Sequence, residues 1–526
     1  MLTYADVRDA RLGALDEAAT AWRALAAGAD ALEQRAVTEL IGPLHTSGWA
    51  GDAATALYGR LDEVDDELEF AALRARLVAV VYGEASERLV GVQKRLHAAV
   101  DACALLRLTV DERGEAVAPP AEPWHHHDPD GRAERSLQLR NARIYTELIA
   151  DIVAEANDAD AEIKHALDRL QPTERRGMDG FEWTRAVTGA QELATWLGLD
   201  PGEIPTDGEP GAVRDWWAGL SADERVVFAM AYPAMVGGLD GIPATDRDRA
   251  NRTRVQAALG HRADDDERTR KLLDTLEAAE YGPRDRPLLL LGFDEQADGR
   301  AIVAVGDPDT AAHTAVLVPG VGTDLGDMPG QIHRAETIQA ASAAMIYQGG
   351  LDDIAVVAWV DYDAPEVDLS AVGSGRAEAG APVLDRFVDG LNTSHQGGPG
   401  HVTAIGHSYG STVVGEAAST GDGLGVQDIV VAGSPGMRVD DVDGLQIDPR
   451  HVWAGQAEGD AIAGWAGFFV HDNEPSDADF GANRYHVDTE GHSAYWEPDS
   501  QSLRNQAAVV VGQYDKVTLD HGSAPG

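Results

Sequence analysis

Two kinds of apolar spacing divide this 526-residue chain. Near the N-terminus the apolar positions step by three or four. Leu12, Leu15, Ala18, Trp22, Leu25, Ala29, Leu32, Ala36 and Leu40 make one series, and a second runs from Leu57 through Leu61, Val64, Leu68, Val78, Leu89 and Val92 to Leu96. Each traces one stripe of a long helix. The stretch from Gly42-Pro43 to Gly51-Asp52 breaks the pattern, so residues 1–115 are expected to form a long helical hairpin. Its stripes are buried by folding back on each other or on a helical partner, self-association included. Residues 116–131 read as a Pro- and His-containing linker, and residues 132–285 as a helical segment packing on the C-terminal domain.

From about residue 286 to 526 the pattern changes to continuous apolar runs of strand length. They are Leu288–Leu291, Ala301–Val305, Ala315–Val318, Ile354–Val360, Val402–Ile405, Asp428–Ala432 and Val452–Ala454. Helix-length stretches such as Gln331–Tyr347 and Pro382–Leu391 separate most of them, and Gln501–Tyr514 closes the chain as a helix. Strands buried on both faces and alternating with helices give an α/β fold with a mostly parallel sheet flanked by helices. Only Gly292 to Gly299 separates the first two runs, which predicts an antiparallel pair at the sheet edge. The glycine-rich stretch Ala371–Ala381 reads as a mobile flap or a plain loop.

Gly406-His407-Ser408-Tyr409-Gly410 lies where a strand turns sharply into a helix. Such a turn forces the serine into a strained backbone and lifts its hydroxyl clear of the sheet, and glycine two residues either side leaves room for it. This is a nucleophile elbow. The serine needs a base, and the base an acid behind it, in the chain order serine, acid, histidine. Asp460, in a loop just past a strand, suits the acid; Asp472, Asp477 and Asp479 compete. His492, after Gly491 and before Tyr495-Trp496, suits the base; His471 and His486 compete. His407 reads as structural. The attacked carbonyl also needs backbone N–H donors. One is the residue after the nucleophile, Tyr409, and the other is Val321 or Gly322, in the loop Pro319–Asp324 after an upstream strand. Tyr409, Tyr495 and Trp496 either line an apolar acyl pocket or serve packing.

On these residues, positions from about 285 to 515 resemble an α/β-hydrolase, and in particular an actinobacterial subfamily of unassigned function. Val213-Arg214-Asp215-Trp216-Trp217, Gly238–Ala244, Arg247-Asp248 and Ala250-Asn251-Arg252 are similar to a helical segment that precedes the core in that subfamily. The resemblance implies hydrolysis of a carboxylic ester or related acyl compound. Trp49-Ala50-Gly51, in the break between the long helices, resembles the Trp-x-Gly hairpins linked to type VII secretion. There tryptophan packs across the hairpin end and glycine permits a tight turn. Tyr58-Gly59-Arg60-Leu61-Asp62 has the spacing of the export signal of those proteins but directly follows the turn, whereas the signal follows the second helix.

Composition narrows the field. The formal charge is −47, from 89 acidic against 42 basic residues. Such a field disfavours nucleic acid and anionic membrane surfaces. The single cysteine, Cys103, excludes an internal disulfide. No apolar run reaches membrane-spanning length and the first residues form no signal peptide, which predicts a cytoplasmic protein or one exported without a cleaved signal. His125-His126-His127 are adjacent and do not converge on one ion, so a solvated loop is expected there and no metal. The sequence therefore reads as a serine hydrolase using Ser408, Asp460 and His492, without cofactor, on a small or lipid-like acyl substrate. Amidase, thioesterase and acyltransferase chemistry use the same parts. The alternative is a non-catalytic interaction or secretion-associated module on a hydrolase scaffold.

Overall fold

The computed structural model describes residues 1–171, 180–261, 267–281, 288–346, 350–366, 373–398, 400–460 and 473–520. The chain forms two compact units, one of residues 1–35, 62–177 and 188–198, the other of the remainder.

The first unit is built on long helices. Gly13–Ala36 and Pro129–Arg169 are helical, and Asp52–Leu105 runs as one helix of 54 residues. The second apolar series is buried in part: Val78, Val92 and Leu96 are almost fully covered, while Leu57, Leu61, Val64, Leu68 and Leu89 are half-buried. Val92, Leu96 and Cys103 share a core with Ile149, Ile152 and Ala156. The first series behaves differently. On its helix the buried positions are Ala19 and Ala26, which are not in the series, while Leu25 and Leu32, which are, lie 56% and 51% exposed. The small alanine face packs inward, and the two leucines lie roughly a third of a turn round the helix, turned away from it.

A two-stranded ribbon, Thr109–Val110 with Ala116–Val117, follows the longest helix and carries no apolar run that would announce it. The histidine triplet is a short helix, Trp124–His127, rather than a solvated loop. His125 is buried there, and its Nδ1 accepts from the Glu122 amide at 2.8 Å.

In the second unit the turn between the long helices is fastened by Tyr58. Its hydroxyl lies 3.0 Å from the carbonyl oxygens of both Leu44 and Trp49, and its ring stacks on His45 at 4.2 Å. Trp49 itself is 45% exposed and meets Tyr58 only edge-on. Gly51, at φ +113°, takes the backbone that starts the next helix.

The rest of this unit surrounds one eight-stranded sheet. Its strands are β1 (Leu288–Asp294), β2 (Arg300–Val305), β3 (His313–Val318), β4 (Ile354–Val360), β5 (His401–His407), β6 (Asp428–Ala432), β7 (Val452–Gly455) and β8 (Asn483–Arg484). In space the order is β8-β7-β6-β5-β3-β4-β2-β1. From β8 to β4 every pairing is parallel; β2 runs antiparallel to β4, and β1 antiparallel to β2 at the edge. The expected edge pair is therefore present. β8 has only two residues and escaped the apolar-run criterion.

Helices cover both faces. Leu384, Phe387, Val413 and Val414, from Gly375–Ser394 and Tyr409–Ser419, pack on one face of the sheet. Ile332, Ile338, Leu503 and Val509, from Met328–Ala343 and Gln501–Val510, pack on the other. The helix over 375–394 begins inside the stretch expected to be a flap or loop, and residues 371 and 372 lie outside the described residues.

The segment before the sheet finds its role at the edge strand. On helix Ala244–His261, Asp248 Oδ1 accepts the Leu290 amide at 2.7 Å, Asn251 Nδ2 donates to the Leu290 carbonyl at 2.9 Å, and Arg252 donates to the Leu288 carbonyl. Side chains thus take the place of a ninth strand, and the edge of β1 is closed to further pairing. Trp217 and Val213 form a small core with Phe228 and Val236, and the Trp217 indole donates to Asp246. The tryptophan stretch packs.

Candidate active site

Everything singled out for chemistry lies beyond the C-terminal ends of neighbouring parallel strands, where open α/β sheets bind ligands. Ser408 directly follows β5 and takes φ +53°, ψ −129°, a backbone a serine adopts only when its surroundings enforce it. The flanking glycines show why. A Cβ at Gly406 would lie 2.6 Å from the Ser411 Cα, and one at Gly410 would lie 2.1 Å from the Val318 carbonyl oxygen. The Ser408 amide donates to the Ala432 carbonyl at 3.0 Å, tying the elbow to the end of β6. Ser411 Oγ lies 2.6 Å from both the Ser408 carbonyl and Ser434 Oγ.

Asp460 and His492 meet. The imidazole Nδ1 donates to the carboxylate with both oxygens at 2.9 Å, and the Asp460 side chain is fully buried. A carboxylate only accepts, so the proton sits on Nδ1 and the Nε2 lone pair is left to act as a base. Tyr495 completes the arrangement: its hydroxyl donates to Asp460 Oδ2 at 2.7 Å and accepts from the Ala457 amide at 3.0 Å. Burial, and then the hydrogen bond to Asp460, push the Tyr495 phenol far above its ordinary value. The two loops are also joined through their backbones, by a bridge between Glu458 and Glu490 and by the Gly491 amide on the Glu458 carbonyl. Of the rivals, Asp477 and Asp479 are exposed, and His486 pairs with Asp520 at the surface. His471 and Asp472 lie outside the described residues.

His407, the residue before the serine, is buried and touches the same loop. Its Nε2 donates to the His492 carbonyl at 2.8 Å, and the two ring centroids are 4.8 Å apart. The edge of Trp496 approaches His407 at 5.0 Å. Among the described residues Ser408 Oγ takes part in no hydrogen bond; His492 is tied to the elbow strand through His407.

The loop after β3 presses on the serine. A Cβ at Gly320 would lie 2.7 Å from the Ser408 Cβ, and the Tyr362 hydroxyl donates to the Pro319 carbonyl at 2.7 Å. Of the two expected donors in this loop, Gly322 already gives its N–H to the Pro365 carbonyl at 2.9 Å. Its amide is occupied by the loop's own fold, which leaves Val321. Tyr409 opens the helix after the elbow, where the first N–H groups point out along the axis.

Each of the three aromatics is engaged in packing and hydrogen bonds. Tyr409 is buried, and its hydroxyl donates to the Gly373 carbonyl and accepts from the Ala377 amide, anchoring the start of the following helix. Tyr495 holds Asp460, and Trp496 packs on His407 with its indole N–H on Gln506.

Comparison with known proteins bears on the fold. A family described as alpha/beta hydrolase matches residues 294–469, and one described as uncharacterised protein Rv0964c matches residues 44–173. The chain is 28% identical over 474 residues to the uncharacterized protein Rv2079 of Mycobacterium tuberculosis (strain ATCC 25618 / H37Rv), covering 74% of this chain and 72% of that protein. It is 35% identical over 191 residues to the uncharacterized protein Mb0988c of Mycobacterium bovis, covering 35% of this chain and 69% of that protein. Among the described residues no helix is long and apolar enough to cross a membrane.

Proposed function

Because the chain belongs to the α/β-hydrolase family, we propose that it is a serine hydrolase acting on a carboxylic ester or related acyl compound. Ser408 is the nucleophile, His492 the base and Asp460 the acid behind it. Ser408 Oγ attacks the acyl carbonyl as His492 Nε2 takes its proton. The N–H groups of Tyr409 and Val321 face the oxygen on which charge develops. The leaving alcohol departs with the proton from Nε2, and an acyl-serine remains. Water, activated by the same nitrogen, then adds to the acyl carbon and frees the acid and Ser408. Protein groups and water supply every proton and bond in this sequence.

The observation that carries the reading is the Asp460–His492 hydrogen bond, with His492 tied to His407, the residue before a serine held at positive φ. Any such pair on its own is common in proteins; its position next to a strained elbow is what chemistry requires. A serine-directed fluorophosphonate probe on the full chain tests it. Labelling that disappears in Ser408→Ala, together with p-nitrophenyl ester turnover lost in His492→Ala, is the expected result. Well-folded wild-type protein that takes up no probe favours a non-catalytic module instead.

A further inference from the structure

The strand end that strains Ser408 also reaches the proposed base. Ser408 and His407 are adjacent at the close of β5. The backbone of one is fixed by the elbow, and the side chain of the other holds the backbone of His492. We infer that His407 is a positioning residue: its Nε2–H, bonded to the His492 carbonyl, sets the distance between nucleophile and base. The inference rests on the serine-hydrolase reading above and adds to it a residue that touches neither substrate nor reacting atoms.

Three observations support it. The acceptor is a carbonyl, so the 2.8 Å contact requires a proton on His407 Nε2 and selects one tautomer. The buried ring also packs edge-to-face with Trp496 at 5.0 Å and Tyr495 at 6.1 Å, which limits its freedom to turn away from His492. Burial, then the neighbouring His492, press its pKa down to about 3, so the ring stays neutral. A second cation beside His492 would oppose the imidazolium that forms during acyl transfer, and the neutral ring avoids that. The backbone of His492 thus hangs from β5 at its carbonyl, while Asp460 fixes the side chain at Nδ1.

Positioning differs from mere support in what it changes. A loosened His492 slows proton transfer without altering how substrate binds, so kcat falls while KM holds. His407→Leu fills the space and removes the donor; His407→Gln keeps an N–H that can reach the carbonyl. Turnover of p-nitrophenyl butyrate by His407→Leu is expected to fall about 100-fold in kcat with KM within about twofold. His407→Gln is expected to restore most of the loss. In the wild type, ¹⁵N-histidine spectra should show one ring, absent from His407→Gln, that stays in the Nε2–H form from pH 8 to pH 5.

The outcomes separate the two claims. Wild-type protein that neither labels with fluorophosphonate nor turns over esters overturns the hydrolase reading and this one with it. Active wild type, with His407→Leu folded and equally fast, overturns the positioning role alone. So does a wild-type His407 ring found in the Nδ1–H form, which has no donor for the His492 carbonyl, a result that needs no variant to fold well.

Discussion

Gly320 and Ser408 are in close contact: a methyl group on Gly320 would stand 2.7 Å from the Ser408 Cβ and 3.1 Å from its Oγ. The loop after β3 can lie against the nucleophile only because position 320 has no side chain. Gly320→Ala must push that loop back and carry Val321 with it, which moves a proposed oxyanion donor. Ester turnover is expected to fall about 10- to 100-fold. The fold should persist, since the loop reaches solvent at Gly322. Turnover and a thermal melt on the same sample check both halves.

Tyr495→Phe tests the support beneath Asp460. Removing the hydroxyl takes a donor from Asp460 Oδ2 and an acceptor from the Ala457 amide. Both sites are buried, and leaving such groups short of partners costs about 1–3 kcal/mol. Chemical denaturation should show that loss. Turnover should drop as well, because the carboxylate that orients His492 loses one of its anchors. A variant with unchanged stability and unchanged turnover would mean the hydroxyl is dispensable.

How far the sequence announced this architecture depends on the physics behind each feature. The elbow was legible because sterics leave few residue choices: Gly406 and Gly410 cannot carry a Cβ in that turn. The sheet was legible as runs of buried apolar residues, and the edge pair β1–β2 from the short connection between them. Asp460 and His492 followed from chain order and loop position, which selects among many acidic residues only loosely. What stayed hidden depended on partners distant in sequence. Nothing near Gly322 indicates that Pro365, some forty residues on, accepts its N–H. Tyr409 looked like a pocket residue because it follows the serine, yet its hydroxyl is used by Gly373 and Ala377. The helix stripe of Leu25 and Leu32 misled because alanines at neighbouring positions pack closer than leucines.

Asp248 gives a prediction about aggregation rather than catalysis. Its Oδ1 caps the Leu290 amide on the outermost strand, 2.7 Å away. Asp248→Ala leaves that amide without its acceptor, at a cost of about 1–3 kcal/mol. The freed edge becomes a template for pairing with another chain. Light scattering during a thermal ramp should show earlier, concentration-dependent aggregation. Asp248→Asn, which keeps an acceptor oxygen but loses the ion pair with Arg252, should aggregate less readily than Asp248→Ala.

The last prediction concerns acid stability and lies at the opposite end of the strands from Ser408. Asp428 opens β6 with its side chain fully buried. His401 Nε2 and His451 Nδ1 each approach it at 2.9 Å, the Tyr514 hydroxyl at 2.8 Å and the Trp453 indole at 3.2 Å. Burial by itself would raise the carboxyl pKa, but the four donors outweigh it and hold it below 3.8. A carboxyl lowered in the folded state contributes stability that is complete above its unfolded value, about 3.9, and is lost as pH falls through the folded value. Asp428→Asn should therefore be less stable at pH 7, by about 3 kcal/mol, since it strips a buried charge from its partners. Below about pH 4 the gap to wild type should narrow, because the wild-type carboxylate is then being protonated too. Denaturation midpoints of both proteins from pH 7 to pH 3 measure that gap directly; a gap as wide at pH 3 as at pH 7 would show that the Asp428 charge does not set the acid limit.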